Sequence, residues 1–143
     1  MMLNIPPSIC YVDRVIDGDT ISYGKLKVRL CGIDAPERKQ TFGRAATTFL
    51  TKLVLNKNVQ VIVSNDRDFY GRILAEVWIG DRLINGEMIS SGMAYSYGSC
   101  PIQKESLETA EQTAKDLKLG IWKRDNLRPW DFRFKQRNNQ NTN

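Results

Sequence analysis

Histidine is absent from the 143-residue sequence. A histidine general base and an imidazole-based metal site are therefore excluded, and any base near neutral pH must be a carboxylate or another group. Cysteine is scarce. Cys10, Cys31 and Cys100 contain no Cys-x-x-Cys pair, which argues against structural zinc. An odd count also excludes a fully paired disulfide framework, and Cys31 is expected as a small, free core residue. No apolar run approaches the length needed to span a bilayer. Residues 1–7 lack a basic start followed by an apolar block, so no signal peptide is visible. No internal repeat is found.

What remains is a globular composition, 41% apolar and 26% charged, of a length that supports one domain with one core. The net charge of +5 is unevenly spread. Residues 123–137 carry six basic groups against two acids, leaving +4 there and about +1 elsewhere. That tail is the feature that suggests a polyanionic partner.

Period and punctuation give the elements. Strands are expected over Cys10–Ile16, Thr20–Tyr23, Lys25–Leu30, Val59–Val63 and Ile73–Ile79. Helical stripes appear over Gly43–Asn56, over Ile84–Ser91 and along Leu107–Leu117, the last two closed by Gly92 and Gly120. Three strands, a helix, two strands and two helices predict an α+β fold, mainly β: a five-stranded OB-fold barrel with three helices. Residues 1–122 are assigned to it, with Met1–Ile9 as a leading segment. Residues 123–143 are expected as a basic, partly disordered C-terminal tail, since periodicity ends after Trp122.

Chemistry concentrates at strand ends. Arg29-Leu30-Cys31-Gly32-Ile33-Asp34-Ala35-Pro36-Glu37 starts as a strand, with Val28, Leu30 and Gly32 on one face, and is broken by Pro36. It presents two carboxylates on a bend. Asp17-Gly18-Asp19-Thr20 reads as a hairpin turn, which explains Asp17 and Gly18 but does not require Asp19. Asp68-Phe69-Tyr70-Gly71-Arg72 lies between two strands and reads as a polar loop or as part of a site. Asp19 and Asp34 are hard oxygen donors suited to Ca²⁺ or Mg²⁺. Arg29 and Arg72 are planar donors that can each bridge two phosphate oxygens, and Glu37 remains to activate water.

These motifs, in this order and spacing, resemble the staphylococcal nuclease (thermonuclease) family. Asn85, Gly92-Met93-Ala94, Ala110-Glu111 and Gly120-Ile121-Trp122 add to the resemblance, which covers residues 10–122. It implies the barrel fold and a calcium-dependent endonuclease that hydrolyses DNA and RNA with little sequence preference, leaving 3′-phosphates. It implies Arg29, Glu37 and Arg72 as catalytic residues and Asp19, Asp34 and the Ala35 backbone carbonyl as Ca²⁺ ligands. Tyr70, Tyr95 and Tyr97 would lie against the substrate, although the last two are shifted in register. No membrane association and no obligate protein partner are expected. Secretion or a periplasmic location follows from the resemblance if a leader was removed, and the cytoplasm if Met1 is the native start. The sequence departs from the resemblance at Ala35, where the best-known member has threonine, and at Ala45, which replaces a common family glutamate. The Arg38–Phe42 loop is also short. A non-catalytic nucleic-acid or protein-binding module of the same fold is the alternative, as is a single-strand binder using the barrel face. Binding-only members tend to lose a carboxylate or arginine, and all five are present here.

Overall fold

The computed structural model describes residues 8–67, 72–98 and 104–141. Its strands are β1 (Ser8–Tyr11), β2 (Arg14–Asp17), β3 (Thr20–Tyr23), β4 (Leu26–Leu30), β5 (Ile33–Asp34), β6 (Asn58–Arg67), β7 (Ile73–Ile79), β8 (Arg82–Leu83) and β9 (Tyr95–Ser96). The helices are α1 (Gly43–Val54), α2 (Ile84–Ser90), α3 (Lys104–Asp116) and α4 (Pro129–Asn141), with a 3₁₀ turn over Gly120–Lys123.

The main sheet runs β1-β6-β7-β4-β3-β2. All its pairings are antiparallel except β4 with β7, which is parallel. The two ends of that path are halves of one continuous stretch. At Val12 the N–H donates to the Lys57 carbonyl at 3.0 Å, on the β6 side. One residue later Asp13 N–H donates to Ser22 O at 3.1 Å, on the β3 side. One bent strand thus exchanges partners midway, and the sheet returns on itself in the order 1-2-3-5-4-1 when β1 and β2 are counted as one. This is the OB-fold arrangement within an α+β chain. The expected single strand over Cys10–Ile16 is split at Val12–Asp13 for this reason.

The interior is aliphatic. Ile21, Val28, Leu30, Val59, Val61, Ala75 and Val77 line it from the strands. Helix α1 closes one end with Ala46, Leu50 and Val54, each four residues after the last, as one helical face requires. Helix α2 adds Ile84, Met88 and Ile89. Asn85 is the polar exception. It is fully buried: its Oδ1 accepts from Val77 N–H at 2.9 Å, and its Nδ2 donates to Cys31 O at 2.8 Å and Ala75 O at 3.2 Å. It ties α2 to β7 and to the end of β4.

One expectation is corrected. Cys31 is buried but disulfide-bonded, whereas Cys10 is the free, buried thiol. Within the stretch expected as a basic, partly disordered tail, residues 129–141 form α4. Its sequence has no clean apolar stripe, so its position comes from docking rather than pattern. Among the described residues, no helix is long and apolar enough to cross a membrane.

Candidate active site

The β2–β3 turn, the end of β4, the bend after β5 and the start of β7 open onto one cleft of about 750 Å³. Asp17, Asp19, Arg29, Asp34, Glu37 and Arg72 all line it. Glycines bring the segments this close. A Cβ on Gly18 would lie 2.7 Å from the Cβ atoms of both Ala35 and Ala46. The Asp17–Asp19 turn can therefore sit directly on the Ala35 bend, where Ala35 N–H donates to Asp19 Oδ2 at 2.9 Å. A Cβ on Gly43 would overlap the Glu37 carbonyl oxygen, so only glycine lets α1 begin against the Glu37 turn. That turn is also fixed by Gln40, whose Oε1 accepts from Glu37 N–H at 2.9 Å and whose Nε2 donates to Leu127 O.

Arg29 is the hub. Its Nη1 donates to Leu30 O at 2.7 Å and to Ile33 O at 2.8 Å, pinning the chain where β4 breaks. Its Nη2 lies 3.5 Å from both Asp19 Oδ2 and Asp34 Oδ1. Arg72 Nη1 is 3.4 Å from Thr20 Oγ1, and Thr20 in turn donates to Asp19 Oδ1 at 3.0 Å.

The acids are unlike one another. Burial pushes Asp17 up to about 7, helped by the neighbouring Asp19 charge. Burial also acts on Asp19, but Arg29 and the bonds from Asp17, Ala35 and Thr20 outweigh it and hold that carboxyl below its ordinary value. Asp34 is raised, chiefly by burial, against the lowering effect of Arg133 and Arg29. The cleft thus concentrates negative charge in a desolvated place, where an added cation gains most.

Asp19 and Asp34 are 6% and 0% exposed. Among the described residues no group of three or more His, Cys, Asp or Glu forms a ready-made metal cage. Two buried carboxylates that share the Arg29 Nη2 suit a hard cation that keeps several waters, with backbone oxygen completing its shell.

Other expected residues fall differently. Tyr97 lines the cleft and is 46% exposed. Tyr95, expected against the substrate, is instead 3% exposed, because β9 pairs it with Asp34 and turns its ring inward against Trp122 and Trp130. Tyr70 lies outside the described residues.

The sequence reading did not anticipate Arg133. From α4 its Nη2 donates to Asp34 Oδ2 at 2.7 Å, and its Nη1 reaches Glu37 Oε1 at 2.7 Å and Asp34 Oδ1 at 3.3 Å. Burial acts against its charge, but the two carboxylates prevail and keep the guanidinium firmly protonated. Trp130, Arg133 and Arg137 share one helical face, and this spacing was the available signal.

Residues 27–124 match the family model for staphylococcal nuclease homologues. The chain belongs to that family. It is 37% identical over 134 residues to an uncharacterized endonuclease of Escherichia coli, covering 87% of this chain and 84% of the relative. It is 37% identical over 126 residues to a thermonuclease of Staphylococcus intermedius, covering 79% and 75%. An uncharacterized endonuclease of Haemophilus influenzae is 35% identical over 136 residues, covering 91% and 75%. The matched region ends just before α4, so Arg133 lies outside the part that the family model covers.

Proposed function

We propose that the protein is a calcium-dependent endonuclease that hydrolyses phosphodiester bonds of DNA and RNA with little sequence preference. The observation that carries this reading is the convergence of Asp19, Arg29, Asp34, Glu37 and Arg72 on one cleft from four separate chain segments. Family membership and the endonuclease and thermonuclease relatives support the same reaction class.

Asp19 and Asp34 hold the cation together with the Ala35 carbonyl. When bound, the ion supplies positive charge to the scissile phosphate and its entering water. Glu37, on the rim of the bend, takes the proton from that water. Arg29 and Arg72 donate to the non-bridging phosphate oxygens as charge builds on them in the transition state. Because Arg29 Nη1 is committed to two backbone carbonyls, its contact to phosphate comes from Nη2 and Nε. Tyr70 and Tyr97 flank the nucleotide, and the buried Tyr95 supports Tyr97.

Purified protein should cut single-stranded and duplex DNA and RNA with Ca²⁺ and stop in excess EGTA, leaving 3′-phosphate and 5′-hydroxyl ends. Full cleavage in chelator, or 5′-phosphate ends, would overturn the mechanism. Nucleic-acid binding without any cleavage would make the protein a non-catalytic member of the fold.

A further inference from the structure

Asp34 has no exposed surface, and both its oxygens are engaged by guanidinium groups. Oδ2 accepts from Arg133 Nη2 at 2.7 Å, while Oδ1 lies 3.3 Å from Arg133 Nη1 and 3.5 Å from Arg29 Nη2. The same Arg133 Nη1 bonds Glu37 Oε1 at 2.7 Å. One side chain from the C-terminal helix therefore spans both the carboxylate assigned to the cation and the carboxylate assigned to water activation.

Two features mark this contact as exchangeable. The Arg133 side chain keeps 34% of its surface exposed, whereas Arg29 keeps 12%. Arg29 is also anchored to two backbone carbonyls, while among the described residues the Arg133 guanidinium bonds these two acids alone. A guanidinium fork and a hard cation compete for the same carboxylate lone pairs, and two positive charges a few ångström apart repel in a partly desolvated cleft.

We propose that Arg133 is the resident counter-ion of the acidic cleft: it occupies Asp34 and Glu37 until a divalent cation displaces it, and so sets the cation concentration at which the site becomes competent. The inference rests on the reading that Asp34 holds the ion and Glu37 activates water. It makes α4 a threshold-setting element, not a spectator tail.

The test needs no turnover. Full-length wild type, Arg133→Ala, Arg133→Lys and Arg137→Ala are titrated with CaCl₂ by calorimetry, without nucleic acid, after circular dichroism has shown that each is folded. Arg137 lines the same cleft, so it reports the effect of a nearby charge alone. Losing charge-assisted bonds to two carboxylates should tighten Ca²⁺ binding of Arg133→Ala by about 10-fold or more. Arg133→Lys should fall between it and wild type, since a point charge cannot span both acids. Arg137→Ala should shift far less. Unchanged or weaker binding by Arg133→Ala would overturn the proposal while leaving the cation reading intact, and so would equal tightening by both alanine variants. If none of the four proteins binds Ca²⁺, both readings fall.

Discussion

Trp130 stacks on Tyr97, with ring centroids 4.8 Å apart and planes 20° from parallel. The same indole meets Tyr95 edge-on at 5.7 Å, and Tyr95 meets Trp122 edge-on at 5.2 Å. This aromatic row fastens α4 to the ribbon of β5 and β9, where Asp34 sits. Trp130→Ala should therefore destabilise the protein by about 1–3 kcal/mol, from lost ring area and ring–ring geometry. A urea unfolding midpoint close to wild type would show that α4 is not fastened there.

Arg29 illustrates why function and stability cannot be separated at the break in β4. The sequence marks Arg29 as a catalytic residue, and the structure makes it a structural one as well. Removing the side chain strands the Leu30 and Ile33 carbonyls and leaves Asp19 and Asp34 facing each other without Arg29. Both Arg29→Ala and Arg29→Lys should lose about 100-fold or more in kcat, and Arg29→Ala should also lose about 2–4 kcal/mol of stability. Glu37→Gln should show a comparable kcat loss with an unfolding midpoint near wild type, because Glu37 is at the rim with its side chain 37% exposed. Steady-state kinetics paired with urea titrations separate the two kinds of loss.

Much of this was legible in the sequence. Alternation over Thr20–Tyr23 and an apolar run over Ile73–Ile79 located both strands to the residue, and the Asp, Arg and Pro punctuation located the acidic bends. What was not legible depended on long-range contacts. The β1–β2 break follows from a change of hydrogen-bond partner at Val12–Asp13 that leaves the apolar pattern uninterrupted. Tyr95 and Tyr97 look alike in sequence, but pairing with Asp34 sends one ring inward. Helix α4 carries Trp130, Phe132 and Phe134 among basic residues without a single apolar face, so only the Trp130, Arg133 and Arg137 spacing hinted at a helix, and the reach of Arg133 to Asp34 and Glu37 depends on where that helix docks.

Asn85 supports the site from behind. Replacing it with leucine keeps the volume but leaves Val77 N–H and Cys31 O without their side-chain partner inside the core, while Ala75 O keeps its bond from Cys31 N–H. About 1–3 kcal/mol for each of the two stranded groups gives an expected loss of about 2–6 kcal/mol. Cys31 lies three residues before Asp34, so kcat should fall as well, although Asn85 does not line the cleft. Asn85→Leu with wild-type stability would show that these bonds are replaceable.

Asp17 supplies a pH signature for the protein without a bound cation. Its carboxyl titrates at about 7 in the folded chain, by burial and by the Asp19 charge, against 3.8 for the ordinary group. A raised acid binds its proton more tightly folded than unfolded, so the unfolded chain holds fewer protons between those values. Stability is therefore complete below about pH 4 and is lost as pH rises to about 7, levelling off above it. The whole loss is at most a few kcal/mol, at about 1.4 kcal/mol per pKa unit. Asp17→Asn cannot ionise, so in chelator it should flatten this decline and be more stable than wild type at pH 8 but not at pH 4. The measurement is the urea unfolding free energy of both proteins from pH 4 to 8.5 in EDTA. Parallel curves would mean that Asp17 is ionised in the folded protein throughout this range.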